Sequence, residues 1–394
     1  MKLTDAAGRI LVIGNGIAGQ TACDSLRAAG FDGNLTIVGD EPRAAYSRPA
    51  LSKALLTPDP AERERVDGLG SHELAPPTHG AAEVLGVAAI GLDARSRRVT
   101  FDDGSDLSYD GLVIATGSRA RRLGGDHSAE LTLRTLDDAL VLRERLAARP
   151  SVVVVGAGPL GMEIASAALS AGCPVTVVAD GRPMLPHLGA CLSETFTAAA
   201  VAQGLKLVDG TATGIDGSHA VILGDGSRVE ADLLVSAVGD IPNTEWLAAS
   251  GLMTGGRLEA DSRGRIRPDI VAAGDVSAIP TRTGVRRIPL WSSAVEQAKV
   301  AALALLTGDE APELEFDPYF WTEQFGLNLK AVGHLPAGGE PEFLLGDSAH
   351  GPSVMRWTHD DGHGVAVAVN HRVPIPKLRR MASAGAPTVR QEDA

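Results

Sequence analysis

The chain has 394 residues, which is enough for roughly two to three domains of about 150 residues each. Its 46 glycines are about 12% of the chain, against a usual level of roughly 7%, yet the 44% of hydrophobic residues and the lack of a Gly-X-Y period exclude collagen and general disorder. The net charge of −13 argues against binding to nucleic acid or to an anionic membrane. Three cysteines are too few for a disulfide framework or a zinc site, and no apolar run has the length of a membrane span. The N-terminus lacks a secretory layout, so we expect a cytoplasmic protein.

One local design occurs twice along the chain. Residues 9–19 read RILVIGNGIAG, and residues 151–161 read SVVVVGAGPLG. The apolar runs do not alternate with polar residues, which predicts buried parallel strands. A G-x-G-x-x-G loop that opens a helix presents free N–H groups and the positive end of the helix dipole to a pyrophosphate. We therefore predict two dinucleotide sites, with the glycines Gly14, Gly16 and Gly19 in the first and Gly156, Gly158 and Gly161 in the second.

An acidic residue ends the second predicted strand of each unit. Asp40 lies 26 positions after Gly14, and Asp180 lies 24 positions after Gly156. A carboxylate about 20 residues beyond the glycine loop is suited to bind the hydroxyls of a ribose. Glu41 competes with Asp40 for this role in the first unit.

The duplication extends beyond the glycine loops. Residues 99–104 and 221–226 each contain an Asp-Gly pair that predicts a hairpin tip. Each is followed by a buried strand that ends at a glycine, Gly117 or Gly239. A late strand at 270–275 continues the N-terminal unit, an alanine-rich helix follows from Trp291 to Leu306, and a small β-rich domain with a short tail ends the chain.

These elements predict an α/β fold with two Rossmann-like domains and a C-terminal α+β domain. The expected boundaries are 1–111 with 241–311 for a discontinuous FAD-binding domain, 112–240 for an inserted NAD(P)-binding domain, and 312–394 for the last domain. Two dinucleotide sites in one chain indicate an electron relay, in which a diffusible nicotinamide delivers hydride to a resident flavin. Distant segments enclose the ligand of the first unit, which suits FAD, whereas the inserted unit suits a ligand that comes and goes.

Several motifs resemble those of the FAD-dependent ferredoxin reductases of oxygenase systems. They include RPALSK at 48–53, IATGSR at 114–119, LRTLDD at 133–138, AGD at 273–275 and WTEQ at 321–324. The resemblance covers roughly residues 9–58 and 84–335. It implies a glutathione-reductase-like fold that passes electrons from NADH through FAD to a small iron–sulfur ferredoxin, which in turn serves a cytochrome P450 or Rieske oxygenase.

The resemblance also implies roles for individual residues. Lys53 would lie beside the N5–O4 edge of the flavin, and Glu163 would lie near the flavin and pair with that lysine. Trp291 would pack on the flavin, and Trp321 would lie at its exposed side, facing the partner. The FAD contacts implied beyond the glycine loop are Ala18, Asp40, Arg48, Lys53, Val87, Arg134, Asp275, Trp291 and Trp321. The NAD contacts implied beyond the second loop are Leu160, Glu163, Asp180 and Gly239.

Each of these residues also has a plainer interpretation. Lys53 is a solvated loop charge in that case, and Glu163 compensates the dipole of its helix. Asp275 then caps the following helix, and the tryptophans belong to the core. His359 and His363 have the spacing of a helical metal site, but the Asp-Asp-Gly sequence near them is typical of a hairpin tip, so we predict no metal.

Two differences from related sequences bear on the coenzyme and on the route by which electrons leave the flavin. Many relatives have a glutamate where Ala179 stands. Here the acid comes one position later, at Asp180, with Arg182 nearby, and we favour NADH over NADPH. The stretch 42–56 contains no cysteine, so electrons leave the flavin without a thiol relay.

A ferredoxin is the expected acceptor, and a rubredoxin reductase or a flavin- and NAD-binding redox sensor are the alternatives. Because ferredoxins are typically acidic, docking would need a local basic patch on this acidic chain. We predict Arg379 and Arg380, together with Trp321, as the docking residues, with Arg286 and Arg287 as a second candidate patch. We expect a monomer or a weak dimer.

Overall fold

The computed structural model describes residues 8–56, 74–125, 128–282, 284–315, 317–358 and 364–383. The described chain forms two compact units, one made of 8–47, 74–119 and 240–315 and the other of 48–56, 120–239 and 317–383 within those ranges. The helices are Ile17–Ala28, Leu136–Ala147, Pro159–Ser170, Leu185–Leu188, Ala190–Ala202, Trp291–Thr307 and Ile375–Ser383. The strands are β1 (Arg9–Ile13), β2 (Asn34–Gly39), β3 (Ala82–Leu85), β4 (Ala89–Asp93), β5 (Arg98–Phe101), β6 (Asp106–Ser108), β7 (Gly111–Ile114), β8 (Ser118–Ala120), β9 (Val152–Val155), β10 (Val175–Ala179), β11 (Lys206–Asp209), β12 (Ala212–Asp216), β13 (Ala220–Leu223), β14 (Arg228–Glu230), β15 (Leu233–Ser236), β16 (Asp240–Pro242), β17 (Leu258–Glu259), β18 (Arg265–Arg267), β19 (Ile270–Ala272), β20 (Ser277–Thr281), β21 (Gly284–Arg286), β22 (Tyr319–Gln324), β23 (Leu327–Val332), β24 (Glu342–Leu345), β25 (Ser353–Thr358) and β26 (Gly364–Val369).

The first unit is built on a six-stranded sheet with the order β18-β19-β7-β1-β2-β3. Neighbouring strands from β19 to β3 run parallel, and β18 joins the edge antiparallel. Strand β1 lies between β2 and β7, so its carboxyl end opens where the sheet order reverses. The predicted late strand is confirmed, because Ile270 pairs with Leu112 of β7.

Both faces of strand β1 are covered, which explains its unbroken apolar sequence. Ile10 and Val12 pack in a cluster with Ala22 of helix Ile17–Ala28 and with alanines of helix Trp291–Thr307. Leu11 and Ile13 belong to a second cluster that contains Phe101, Tyr109 and Trp246. Alanines thus predominate where the helices Ile17–Ala28 and Trp291–Thr307 cover one face of the sheet, and larger aromatic side chains pack on the other face.

The boundary expected at residue 112 falls inside a strand. Strand β7 pairs in parallel with β1 through Leu112 to Ile114, and on its other side with β19. Residues 112–114 therefore belong to the first unit, not to the inserted domain, because their backbone completes its sheet.

The second unit repeats the parallel design in a four-stranded sheet with the order β11-β10-β9-β15. The two predicted Asp-Gly hairpins are confirmed, at Gly104 between β5 and β6 in the first unit and at Gly226 between β13 and β14 in the second. Their φ angles are +82° and +84°, a region that glycine enters without strain.

The C-terminal part of the second unit is a five-stranded antiparallel sheet with the order β22-β23-β26-β25-β24. Helix Ile375–Ser383 covers it, with Leu378 and Ala382 packed against Val332 and Ala366. The C-terminal segment is thus rich in β-strands from β22 onward, as the sequence predicts, and it belongs to the same compact unit as 120–239. The expected tail at 384–394 lies outside the described residues. In the part of the chain that is described, no helix is both long and apolar enough to cross a membrane.

Candidate functional site

The first glycine loop lies at the carboxyl end of β1 in the first unit. Gly14 has a φ of +113°, and a Cβ there would overlap the carbonyl oxygen of Ala115. A Cβ at Gly19 would overlap the carbonyl oxygen of Gly14. Gly16 differs, because a Cβ there would have no protein atom within 4 Å. Gly14 and Gly19 thus serve the turn and the packing, while Gly16 leaves room for a ligand at the start of helix Ile17–Ala28.

The second glycine loop reproduces this geometry in the second unit. Gly156 donates its N–H to the carbonyl oxygen of Val178 at 2.8 Å, just as Gly14 donates to Val38 at 2.7 Å. A Cβ at Gly156 would overlap Ala237, and one at Gly161 would overlap Gly156. Gly158, the N-cap of helix Pro159–Ser170, corresponds to Gly16 of the first loop.

The surroundings of Gly158 include a side chain that the sequence did not indicate. The His187 ring lies 3.4 Å from the place where a Cβ of Gly158 would stand. Burial lowers the pKa of His187, so it is neutral near pH 7. The short helix Leu185–Leu188 that carries it is anchored by the Met184 N–H, which donates to the carbonyl oxygen of Ala157 at 2.8 Å.

The competing acids after β2 have different surroundings. Glu41 accepts a hydrogen bond from the Tyr46 hydroxyl at 2.6 Å, whereas Asp40 is exposed. This geometry favours Asp40 as the ribose ligand of the first unit. In the second unit, Asp180 follows β10 and accepts a hydrogen bond from Thr211 Oγ1 at 3.3 Å.

The turn at Gly274 and Asp275 follows β19 in the first unit. Gly274 has a φ of +83°, and its N–H donates to Gln297 Oε1 at 3.0 Å. Gln297 is buried in helix Trp291–Thr307 and also accepts from Ser277 Oγ at 3.0 Å. Sequence reasoning missed this glutamine, because an amide inside an alanine-rich helix has no distinctive local pattern.

Arg287 belongs to the same region of the first unit and is not a free docking residue. Its guanidinium donates two hydrogen bonds to the Asp240 carboxylate, at 2.6 and 3.1 Å, and a third to the carbonyl oxygen of Asp275 at 3.0 Å. The hydrogen bond to Asp240 raises the pKa of Arg287. In the second candidate patch, the charge of Arg287 is therefore already paired with Asp240, which leaves less of it for a partner.

A buried charged cluster lies in the second unit, around Glu163. The Glu163 side chain is 5% exposed, and Lys53 Nζ lies 2.9 Å from each of its two oxygens. Ser52 Oγ donates to Glu163 Oε2, and Thr322 Oγ1 donates to Oε1 at 2.5 Å. The predicted pairing of Lys53 with Glu163 is thus present, whereas the two hydroxyls were missed because they come from distant segments.

Trp321 lies next to this cluster on strand β22. Lys53 Nζ is 5.8 Å from the centre of the Trp321 ring, a cation–π distance, and Tyr319 stacks on the indole at 5.5 Å. The structure therefore brings Lys53, Glu163 and Trp321 together within one unit. Trp291 is half-buried as the first residue of its helix in the other unit.

The remaining predicted residues have plain local surroundings. Ala18 is buried, and Val87 donates its N–H to Gly39 at 3.1 Å. Arg48 donates to the carbonyl oxygen of Arg134 at 2.9 Å, which ties the RPALSK segment to the loop before helix Leu136–Ala147. In the second loop, Leu160 is half-buried in the first turn of its helix; Gly239 has a φ of +97° and accepts a hydrogen bond from the Arg121 N–H at 3.0 Å.

The docking candidates lie on the last helix, Ile375–Ser383. Arg379 and Arg380 are exposed, and Arg379 forms an exposed ion pair with Asp317 at 3.3 Å. His359 and His363 lie outside the described residues. Among the residues that are described, no group of three or more His, Cys, Asp or Glu is arranged to hold a metal ion.

The cysteines are poor redox groups. Burial raises the pKa of Cys23 to about 12, and it also raises the pKa of Cys173 and of Cys191. Because the thiolate is the reactive form, these side chains behave as small apolar groups at neutral pH.

Comparison with known proteins agrees with this geometry. Residues 8–298 match the model of the pyridine nucleotide-disulphide oxidoreductase family. The chain is 34% identical to the biphenyl dioxygenase system ferredoxin–NAD(+) reductase component of Paraburkholderia xenovorans, covering 92% of this chain and 90% of that protein. It is 37% identical to rhodocoxin reductase of Rhodococcus erythropolis, covering 86% and 80% of the two chains. Among solved structures, the covalent putidaredoxin reductase–putidaredoxin complex is similar, with a TM-score of 0.82, 28% identity and coverage of 97% and 94%.

The chain belongs to the pyridine nucleotide-disulphide oxidoreductase family. The predicted α/β fold, the oxidoreductase activity and the use of FAD and NADH are thereby confirmed. The residues of the first loop fit FAD, because Gly16 leaves an open approach to a helix N-terminus and Asp40 is exposed beyond the next strand.

Proposed function

We propose that this protein is an NADH-dependent ferredoxin reductase that passes electrons through FAD to a small iron–sulfur ferredoxin of an oxygenase system. The stretch 42–56 contains no cysteine and Cys23 is buried in the first helix, which argues against the thiol relay of a disulfide reductase and supports direct electron transfer from the flavin to a protein acceptor. The relatives named above are reductase components of a dioxygenase system and of related carriers, which supports the same acceptor. We place the enzyme in the cytoplasm, where NADH is available.

Each of the two glycine loops, with the acidic residue that follows it, is assigned to one dinucleotide. We propose that the FAD pyrophosphate binds at Gly16, in the loop that Gly14 and Gly19 shape, and that Asp40 and Asp275 bind the hydroxyl groups of FAD. The second loop and Asp180 bind NADH in the same manner. When bound, FAD would supply the capacity to accept a hydride from NADH and to release electrons one at a time.

We assign Lys53 and Glu163 to the hydride exchange as electrostatic groups. Neither is needed as an acid or a base, because hydride passes directly between the two cofactors. The Lys53 ammonium would stabilise negative charge on the reduced flavin. The Glu163 carboxylate fixes the position of that ammonium through contacts of 2.9 Å.

The test is NADH-driven cytochrome c reduction, with and without purified [2Fe–2S] ferredoxins and rubredoxins from the same genome. We expect a yellow protein whose cytochrome c reduction is strongly accelerated by a ferredoxin. Acceleration by a rubredoxin alone would identify a rubredoxin reductase. Failure of every carrier, with intact NADH-to-ferricyanide activity, would contradict the assignment of the acceptor and favour a redox sensor.

A further inference from the structure

Glu163 is a buried carboxylate that is surrounded by hydrogen-bond donors. Ser52 Oγ and Lys53 Nζ donate to Oε2, and Thr322 Oγ1 and the same Nζ contact Oε1. A buried ion pair with one partner alone leaves lone pairs without donors, which makes the burial costly. The two hydroxyls supply the missing donors, one to each oxygen.

The direction of the hydrogen bonds at Thr322 is fixed by a further residue. Gln324 Nε2 donates to Thr322 Oγ1 at 2.8 Å, so the oxygen of Thr322 acts as acceptor there and its proton is available for Glu163. Thr322 and Gln324 are both buried and lie two positions apart on β22, on the same face of the strand. The strand therefore presents the Thr322 hydroxyl as a donor to the Glu163 carboxylate and as an acceptor from Gln324.

The hydroxyls and the lysine come from two separate segments. Ser52 and Lys53 precede the short turn Ala54–Leu56, while Thr322 lies on the first strand of the C-terminal sheet. The backbone around β22 is fixed to the helix of Glu163 by a second bond, from the Phe325 N–H to Ser166 Oγ at 2.8 Å. The position of the carboxylate thus depends on the C-terminal sheet as well as on its own helix.

We propose that Ser52 and Thr322 are positioning residues for the hydride exchange: they hold the Glu163 carboxylate in one orientation, and through it they hold Lys53 against Trp321. This inference rests on the proposed function, because it concerns the use of Lys53 during catalysis. The hydroxyls themselves touch Glu163 and need not touch a cofactor. Removing either hydroxyl is therefore expected to affect flavin reduction by making the Lys53 ammonium more mobile.

The experiment compares Thr322→Val, Ser52→Ala and Thr322→Ser in the FAD-loaded protein. The rate of flavin reduction at saturating NADH is measured by stopped flow, together with the NADH concentration at half-saturation. The accessibility of Lys53 is measured separately, by acetylation with acetic anhydride and peptide mass spectrometry. Thr195→Val is the matched control, since Thr195 is equally buried and its hydroxyl bonds the carbonyl oxygen of Cys191 at 3.1 Å, away from the cluster.

We expect Thr322→Val and Ser52→Ala each to slow flavin reduction about tenfold, the value of one hydrogen bond to a charged group, with half-saturation changed less than about twofold. Acetylation of Lys53 should become faster in both variants. Thr322→Ser should restore both measurements, and Thr195→Val should change neither.

Three results would overturn the inference. Unchanged reduction and unchanged acetylation in both hydroxyl variants would remove the positioning role. If Thr322→Ser shows the same slow flavin reduction as Thr322→Val, the effect comes from packing and not from the hydroxyl. If Thr322→Val does not fold, a slow flavin reduction in Thr322→Ser alone contradicts the inference. Wild-type protein that is not reduced by NADH would contradict the proposed function itself, and so the two failures are distinct.

Discussion

An acidic residue follows the second strand of each glycine-loop unit, and we propose that it binds the ribose of the nucleotide. Asp40 is exposed while its neighbour Glu41 is bonded to Tyr46. Asp180 is held by Thr211, and the exposed Arg182 lies two positions further along the chain. A carboxylate can bind the two free ribose hydroxyls of NADH and repels the 2′-phosphate of NADPH, whereas an arginine favours that phosphate. We propose that the preference for NADH over NADPH depends on the balance between Asp180 and Arg182.

Replacing Asp180 by alanine tests this balance. We expect kcat/KM for NADH to fall about tenfold, because a hydrogen bond between charged and neutral partners is lost. The value for NADPH should rise, because the repulsion disappears while Arg182 stays. Steady-state ferricyanide reduction with both coenzymes measures the two values. Asp225→Ala, at an exposed hairpin tip, is the control, and an unchanged NADH/NADPH ratio in the Asp180 variant would assign ribose binding to another residue.

The cysteines give a second prediction at this scale. Since the pKa of each thiol is raised, the fraction of thiolate at pH 8 is small, and it increases only as the pH approaches the raised value. Alkylation of Cys23 by iodoacetamide in the native protein should therefore be far slower than in the unfolded protein. The variant with Cys23, Cys173 and Cys191 all replaced by alanine should keep its ferredoxin-dependent activity. Loss of that activity without loss of FAD would instead show that a cysteine takes part in electron transfer.

At the scale of elements, the two glycine loops share one construction. In each loop, the first and third glycines are crowded by backbone atoms, while the second glycine is the N-cap of the following helix. The three glycines therefore have different structural roles, although all three are the same residue in the G-x-G-x-x-G motif. Substitution by alanine separates the roles.

Gly16→Ala and Gly19→Ala form a matched pair in one loop. Gly19→Ala should destabilise the protein by about 1–3 kcal/mol, because its Cβ overlaps the Gly14 carbonyl and the helix must move. Gly16→Ala should leave the melting temperature of the FAD-free protein unchanged and weaken FAD retention, because its Cβ fills the open approach. Thermal melts and the ratio of flavin to protein absorbance measure both effects. Equal melting temperatures for the two variants would contradict this division.

The sequence predicts those features that arise from a few neighbouring residues, and it does not predict those that depend on contacts between distant segments. The glycine loops, the hairpins at Gly104 and Gly226 and the helix from Trp291 follow from short patterns, and all are confirmed. The boundary near Leu112 was placed wrongly, because a strand's membership in a sheet depends on partners such as Ile270 far along the chain. Gln297 and Thr322 were missed for the same reason. Lys53 and Glu163 were found through a family resemblance, and no short pattern in the chain pairs them.

At the scale of the whole molecule, charge presents the main difficulty for the proposed partner. The chain carries a net charge of −13, yet the exposed face of helix Ile375–Ser383 is basic at Lys377, Arg379 and Arg380. Long-range attraction follows the local field as well as the total charge, so a basic helix can steer an acidic carrier. The ion pair of Arg379 with Asp317 is exposed and contributes little to stability, so it leaves the arginine available to a partner.

Reversing two charges on this helix tests the docking surface. Arg379→Glu with Arg380→Glu should slow ferredoxin reduction several-fold at low salt, and the difference should shrink as salt screens the charges. NADH-to-ferricyanide activity should be unchanged. Arg95→Glu with Lys206→Glu makes the same change in net charge at exposed positions elsewhere, and it is the control. Equal ferredoxin kinetics in the two double variants would exclude this helix from docking.

The cluster around Glu163 also has a consequence for the newly made chain. Thr322, which completes the shell of donors, follows Glu163 by 159 residues. At a synthesis rate of about 5–20 residues per second, the carboxylate waits roughly 10–30 s before that strand leaves the ribosome. During this interval Glu163 lacks the hydrogen bond that Thr322 donates in the complete protein. The side-chain shell that fixes Glu163, and with it Lys53, is therefore complete only after the first strand of the C-terminal sheet has been synthesised.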